Sequence, residues 1–209
     1  MDFYQLAWVL LFHQSADDFN LKKERTIEQM KLAGLDFETA NGKRGSICAA
    51  GCAIVDDTGV TESREWLVCP HKGYRWMRPD FTDIHGLNYW DVCNCMEFPA
   101  VWPELQRKLL EADCVVIHNA PFDLGHLRSV LELYELPPVE FDYVDSLAVS
   151  CRLFPEMESH SLDAMAERFG IVFRHHNALE DATACARLIV QMGIPEGFIQ
   201  HFNTLKMED

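Results

Sequence analysis

The spacing of apolar and polar positions changes character along the chain, and each change predicts a different element. Residues 1–31 hold an apolar cluster, YQLAWVLLF, followed by a polar stretch, DDFNLKKERTIEQMK. Together they predict a helical extension docked beside a domain rather than built into its sheet. From Leu32 the period shortens. LAGLDFET, SICAAGCAIVDD and SREWLVCP, with DDTGV as a turn, predict three successive strands of an antiparallel meander. FPAVWPELQRKLLE then reads as a helix, CVVIHN as a buried strand, PFDLGHLRSVLELYEL as a helix ended by Pro137 and Pro138, and FDYVDS as a further strand. SLAVSCRLF, SLDAMAERFG and ALEDATACARLIVQMG are helical, with Gly170 and Gly193 as stops. A meander followed by alternating helices and strands predicts an α/β fold, a mixed sheet flanked by helices. The expected division is an extension over 1–31, one domain over 32–195 and a short C-terminal tail over 196–209.

Composition narrows the setting. With 209 residues, 48 % of them hydrophobic, the chain can fill the core of one ordinary domain. No apolar run approaches the roughly 20 residues that span a bilayer; Leu6 to Phe12 stops at His13. The opening Met-Asp-Phe lacks the positive region of a secretory signal. No membrane association is therefore expected. The eight cysteines do not form a dense disulfide framework, and Cys114 sits inside an apolar run, which predicts a reducing, cytoplasmic setting. Eighteen Lys and Arg against 33 Asp and Glu leave a net charge of −15, which argues against non-specific grip on long polyanions. HKGYRWMR, residues 71–78, is the one conspicuous basic and aromatic run. It reads either as a strand-guiding loop, aromatic faces for bases and cations for phosphates, or as a solvated connection with Trp76 tucked into the core.

Three short stretches carry the candidate chemistry: Asp36 and Glu38 in LDFETA, Asp123 in HNAPFDLGHL, and His176 with Asp181 in HHNALEDATA. Residues two apart in a strand share a face, so Asp36 and Glu38 project together, with Cβ atoms roughly 6 to 7 Å apart. Pro121 suits the first position of a helix, which puts Asp123 in its first turn. Asn177 and Glu180 read as a cap and its partner, so Asp181 falls in the first turn of the next helix and His176 just before it. Judged singly, either aspartate could merely compensate a helix dipole. Together the four carboxylates suit hard divalent cations, magnesium or manganese, with one basic group beside them, which is equipment for phosphodiester cleavage. Cys69, His71, Cys93 and Cys95 offer a rival, a zinc-stabilised interaction module, although both tight pairs fall one residue short of the usual Cys-x-x-Cys spacing.

LDFETAN, the IHGL at 84–87, VVIHNAPFDLGHL, DSLAVSCRLFPEMESHSLDAMAERFGI and HHNALEDATACA resemble the 3′–5′ exonucleases of the DEDDh type. Over about residues 32–192 the chain is most similar to the epsilon, or proofreading, subunit family of bacterial DNA polymerase III. The resemblance implies a ribonuclease H-like fold and two magnesium or manganese ions held by residues matching Asp36, Glu38, Asp123 and Asp181. It also implies a general base matching His176, where the sister DEDDy type has tyrosine, and release of nucleoside 5′-monophosphates from DNA 3′ ends. Phe37, Thr39 and Ala40 would touch the terminal nucleotide, joined by His85 of IHGL, by Asn119, and by Phe122 as a wedge against the bases unless Phe122 belongs to the core. The implied partner is a single-stranded or frayed nucleic-acid 3′ end. A small-RNA exonuclease of the same family is the alternative, and a catalytically idle end-binding homologue sits poorly with an intact carboxylate set. No polymerase-binding tail or second domain is evident, so a free-standing enzyme is expected and polymerase association is not indicated. The match of YQLAWVLLF to clamp-binding peptides is poorly spaced.

Overall fold

The computed structural model describes residues 30–205, so the helical extension expected over 1–31 lies outside the described residues except for Met30 and Lys31, which lead into the sheet. Six strands form one sheet: β1 (Leu32–Thr39), β2 (Ile47–Asp56), β3 (Gly59–Leu67), β4 (Cys114–Ile117), β5 (Glu140–Asp145) and β6 (Gln200–Asn203). Their order is β3-β2-β1-β4-β5-β6. The expected meander is present, β1 antiparallel to β2 and β2 to β3, while β4 runs parallel to both β1 and β5. β6, in the segment read as a tail, pairs antiparallel with β5. There Phe202 buries its ring against Phe141, with centroids 5.1 Å apart.

Seven helices are described: α1 (Pro79–His85), α2 (Tyr89–Val92), α3 (Phe98–Glu111), α4 (Ala120–Leu133), α5 (Ser146–Leu153), α6 (Leu162–Arg168) and α7 (Ala178–Met192). The helices read from the sequence are α3 to α7. The short α1 and α2 were not anticipated; the first begins on Pro79 and ends on left-handed Gly86, and the second rests on a capping box between Asn88 and Asp91.

Side-chain alternation along β1 divides the core. Leu35 and Phe37 point to one face, among Val101, Trp102 and Leu105 of α3 and Leu124 and Leu127 of α4. Leu32 joins the other face with Val149, Met165, Leu188 and Ile189. On that second face α7 lies almost on the sheet backbone. A Cβ on Gly34 would fall 1.9 Å from the Ala182 carbonyl oxygen, and one on Gly51 would fall 2.0 Å from that of Ala178. Gly51 is the cross-strand partner of Asp36, so the missing side chain lets the first turn of α7 close on that carboxylate. Gly51→Ala is expected to cost about 3 kcal/mol of stability, because the obstacle is backbone and cannot swing away. A urea midpoint unchanged from the parent would refute this close contact.

The 71–78 connection is a solvent-facing loop that departs from its second reading at Trp76. Trp76 is exposed rather than tucked into the core. Arg75 is paired with Glu97 and donates to the Pro70 carbonyl, and Arg78 is paired with Asp80, so these cations are already engaged within the protein.

Candidate active site

β1 carries Asp36 and Glu38 toward the face covered by α7, and a shift in the β1–β2 register between Glu38 and Thr39 ends the regular ladder there. Asp123 comes from the opposite layer. Asn119 turns the chain through the left-handed region at φ 67°, Pro121 opens α4, and Asp123 in the first turn accepts the Phe37 N–H at 2.9 Å through Oδ1. Asp181 comes from the first turn of α7, where Asn177 caps the helix by accepting the Glu180 N–H at 3.0 Å. Its two oxygens are used separately. Oδ2 accepts the His176 N–H at 2.9 Å and Oδ1 meets His175 Nδ1 at 3.0 Å.

The carboxylate oxygens of Asp36, Glu38 and Asp181 approach within 4.8 Å of one another. Asp123 stands just outside that trio, yet its charge reaches Asp36. Burial, with Asp123, Asp181 and Glu38 adding like charge, pushes the Asp36 carboxyl well above the usual range. Burial and the charges of Asp181 and Glu65 push Glu38 up to about 8. Asp123 is raised well above the usual range by burial, against the pull of the Phe37 N–H and its own N–H. Asp181 is also raised by burial, opposed by His175. Crowded carboxylates of this kind lack a positive partner, and an all-oxygen donor set suits a hard divalent cation. His175, His176 and Asp181 form a second converging group with mixed nitrogen and oxygen donors.

A cavity of about 630 Å³ opens over these residues. Asp36 to Thr39 form its floor, α1 contributes Phe81, Ile84 and His85, Asn119 and Phe122 form another side, and His175 and His176 stand beside Asp181. Phe122 leans on His126 at 4.7 Å between centroids and remains exposed, so it belongs to the cavity wall and not to the core. His85 accepts the Leu87 N–H on Nδ1 at 3.0 Å, which leaves Nε2 to donate to the Thr39 carbonyl at 3.2 Å. That bridge braces the end of β1 from α1, and burial lowers the His85 pKa. Ala40 departs from its expected place. It is fully buried, its N–H donates to Ser46 and its carbonyl accepts from Arg78, so it stands behind the wall. Asp123 is likewise buried below the cavity surface.

Two supporting residues escaped the sequence reading. Asp145 accepts the Asn119 N–H at 3.0 Å and the Leu147 N–H at 2.9 Å through Oδ1, and the Ala120 N–H at 3.1 Å through Oδ2. One carboxylate thus caps α5 and holds the left-handed start of α4. The signal was local, an Asp just before a helical run. His175 is the other, considered in the sequence only as the alternative base of the doubled histidine and not as a partner of Asp181. Among the described residues the rival zinc set, Cys69, His71, Cys93 and Cys95, does not form a group of ligand atoms within 4.8 Å of one another. Cys69 points its thiol to the Cys93 carbonyl at 3.6 Å, Cys95 to that of Asp91 at 3.4 Å, and His71 packs edge-on against Tyr134 at 5.3 Å. All eight cysteines are free thiols.

A mixed sheet in this order, flanked by helices and bearing acids on its central strand and on two helices, is a ribonuclease H-like fold. The family model "RNase_T: Exonuclease" matches residues 34–189, and the chain belongs to that exonuclease family. The PolC-type DNA polymerase III of Thermotoga petrophila is 30 % identical over 175 residues, 82 % of this chain and 12 % of the polymerase. That of Streptococcus thermophilus LMD-9 is 37 % identical over 109 residues, 52 % of this chain and 7 % of the polymerase. The chain therefore spans only a small part of these relatives. Its fold is shared with exonuclease X in complex with 5′ overhanging duplex DNA, at TM-score 0.62 and 24 % identity over 77 % of this chain and 90 % of that one. It is shared also with the nuclease domain of 3′hExo, a DEDDh family member bound to rAMP, at TM-score 0.67 and 17 % identity over 81 % and 92 %. The chain is thus a member of an exonuclease family that carries the fold of these nucleases. Among the described residues no helix is long and apolar enough to cross a membrane.

Proposed function

We propose that the cavity hydrolyses the terminal phosphodiester of single-stranded or frayed DNA 3′ ends, releasing nucleoside 5′-monophosphates, with two magnesium or manganese ions held by Asp36, Glu38, Asp123 and Asp181. The observation that carries this reading is the convergence of three carboxylates within 4.8 Å, with Asp36 and Glu38 raised strongly by burial and by the like charge of neighbouring carboxylates. When bound, divalent cations would offset that charge, polarise the phosphate and stabilise the departing 3′ oxygen. His176 stands beside the acids, and burial with His175 behind it holds its pKa below the ordinary histidine value. It is therefore neutral at pH 7 and takes the proton of the attacking water as the new phosphorus–oxygen bond forms and the bond to the 3′ oxygen breaks. Thr39, His85, Asn119 and Phe122 shape the compartment for the terminal nucleotide, with Phe122 placed to lie against a base.

The likeness to PolC-type polymerases supports DNA as the polymer. The test is a direct comparison of 5′-labelled single-stranded DNA, duplex DNA with a mismatched 3′ end, and RNA of equal length, each with magnesium and then manganese. The expected result is a ladder shortening from the 3′ end, with the DNA single strand consumed fastest. RNA consumed faster than DNA would overturn the choice of polymer, and labelled products other than the ladder would overturn the mode of attack.

A further inference from the structure

A chain of net charge −15 must hold a polyanion through local features. Around the cavity the expected guides, Arg75 and Arg78, are spent on Glu97 and Asp80. The turn between β1 and β2 offers different cations. Lys43 and Arg44 are both exposed, and among the described residues neither has an acidic partner.

This turn is rigidly built. Asn41 is fully buried, its side-chain amide donates to the Tyr74 and Trp76 carbonyls at 2.9 and 2.8 Å, and its Oδ1 accepts the Lys43 N–H at 3.0 Å. Ser46 Oγ donates to the Asn41 carbonyl at 2.7 Å. Gly45, at φ 87°, donates its N–H to His126 Nδ1 at 3.2 Å, tying the turn to α4. The two side chains are placed on neighbours that lead back to the cavity. Arg44 lies across Gly125, where an added Cβ would sit 3.5 Å from the guanidinium carbon. Gly125 adjoins His126, whose ring contacts Phe122 in the cavity wall. Lys43 Nζ sits 5.6 Å from the centre of the Tyr74 ring. Burial and the neighbouring Arg44 hold His126 at about 4, so its ring is neutral and adds no charge of its own.

We propose that the Lys43–Arg44 turn is a second substrate-binding surface, on which the phosphates of nucleotides beyond Phe122, upstream of the 3′ terminal one, are held while their bases lie along Tyr74. Alternating cations and aromatic faces leading out of an active-site cavity suit a single strand, because the cations meet any backbone and the rings stack any base. This surface rests on the single-strand reading proposed above and adds to it where the strand leaves the site.

The experiment uses the whole chain carrying Lys43→Gln and Arg44→Gln together, with Lys72→Gln as a comparison. Binding of a labelled oligothymidylate of about 20 nucleotides is followed by anisotropy in EDTA across a salt series, and turnover is measured on that strand and on a thymidine dinucleotide. Loss of two phosphate contacts predicts roughly tenfold weaker binding near physiological salt and a salt slope shallower by about 1.4. Dinucleotide turnover is expected to stay with the parent, and Lys72→Gln to bind like it. Unchanged long-strand binding in the double variant would overturn the proposal, as would an equal loss on dinucleotide and long strand, or an equal loss in Lys72→Gln. An oligouridylate of the same length, run in parallel, reports the choice of polymer separately. The binding arm needs no turnover, so failure of the proposed chemistry and failure of this surface give different results.

Discussion

Replacing Asp36 with alanine is expected to abolish strand shortening while leaving the fold intact. The loss should reach at least about 10³-fold, because a cation held by fewer carboxylates gives up several kcal/mol of charge stabilisation. The folded state has little reason to suffer. In the metal-free protein Asp36 is a desolvated carboxylate facing three others, with its pKa well above the usual range. A carboxyl raised on folding contributes stability that is complete below its unfolded pKa and is lost as pH rises through the folded one. For Glu38 that window runs from the ordinary 4.5 to about 8. The metal-free parent should therefore lose thermal stability as pH climbs through this window, and manganese should restore more at pH 8 than at pH 5. In Asp36→Ala the raised carboxyl of Asp36 is itself gone, and with it one group able to hold a cation, so both the slope and the restoration shrink. Circular dichroism, thermal midpoints across pH with and without manganese, and turnover on labelled DNA measure all three. Near-parental turnover in magnesium would sink the assignment of the acidic cluster, and a pH-independent midpoint would show that the crowding is relieved in some other way.

Elements whose structure follows from local spacing were legible in the sequence, and so was the position of the candidate acids on them. Asp36 and Glu38 share a face because a strand repeats every two residues, and Asp181 falls in the first turn of α7 because Asn177 caps it. What joins them is not local. The fit of α7 on β1 and β2 depends on Gly34 and Gly51, which in sequence look like weak points in two strands. The pairing of Arg75 within the 71–78 run was hidden because its partner, Glu97, lies 22 residues away. β6 was missed because its four residues, QHFN, bury only Phe202, and α1 and α2 are too short for any apolar period to show. Ala40 was assigned to the nucleotide by resemblance to neighbouring motif residues. Only the structure shows both its backbone groups taken by Ser46 and Arg78.

His176→Ala is expected to lower turnover by about 10² to 10⁴-fold, the usual contribution of a general base, while leaving cation and strand binding near those of the parent. Geometry separates this histidine from its neighbour. His175 spends Nδ1 on Asp181 and stacks on His176, with ring centroids 3.9 Å apart. His176 uses only its backbone N–H on Asp181 and turns its ring into the cavity wall. Its φ of 62° adds a complication, since a lost side chain and a disturbed backbone could both slow the reaction. Asparagine tolerates the left-handed region. If the loss is one of proton transfer, His176→Asn should match alanine, and added imidazole should restore part of the alanine variant's rate. His175→Gln, which frees one Asp181 oxygen, should weaken the response to low manganese more than it lowers the rate at saturation. The acid limb of the parent's rate profile should fall below the ordinary histidine value of 6.5, because burial and His175 both disfavour the charged ring. A larger loss at saturating manganese in His175→Gln than in His176→Asn would move the role of base to the other member of the pair.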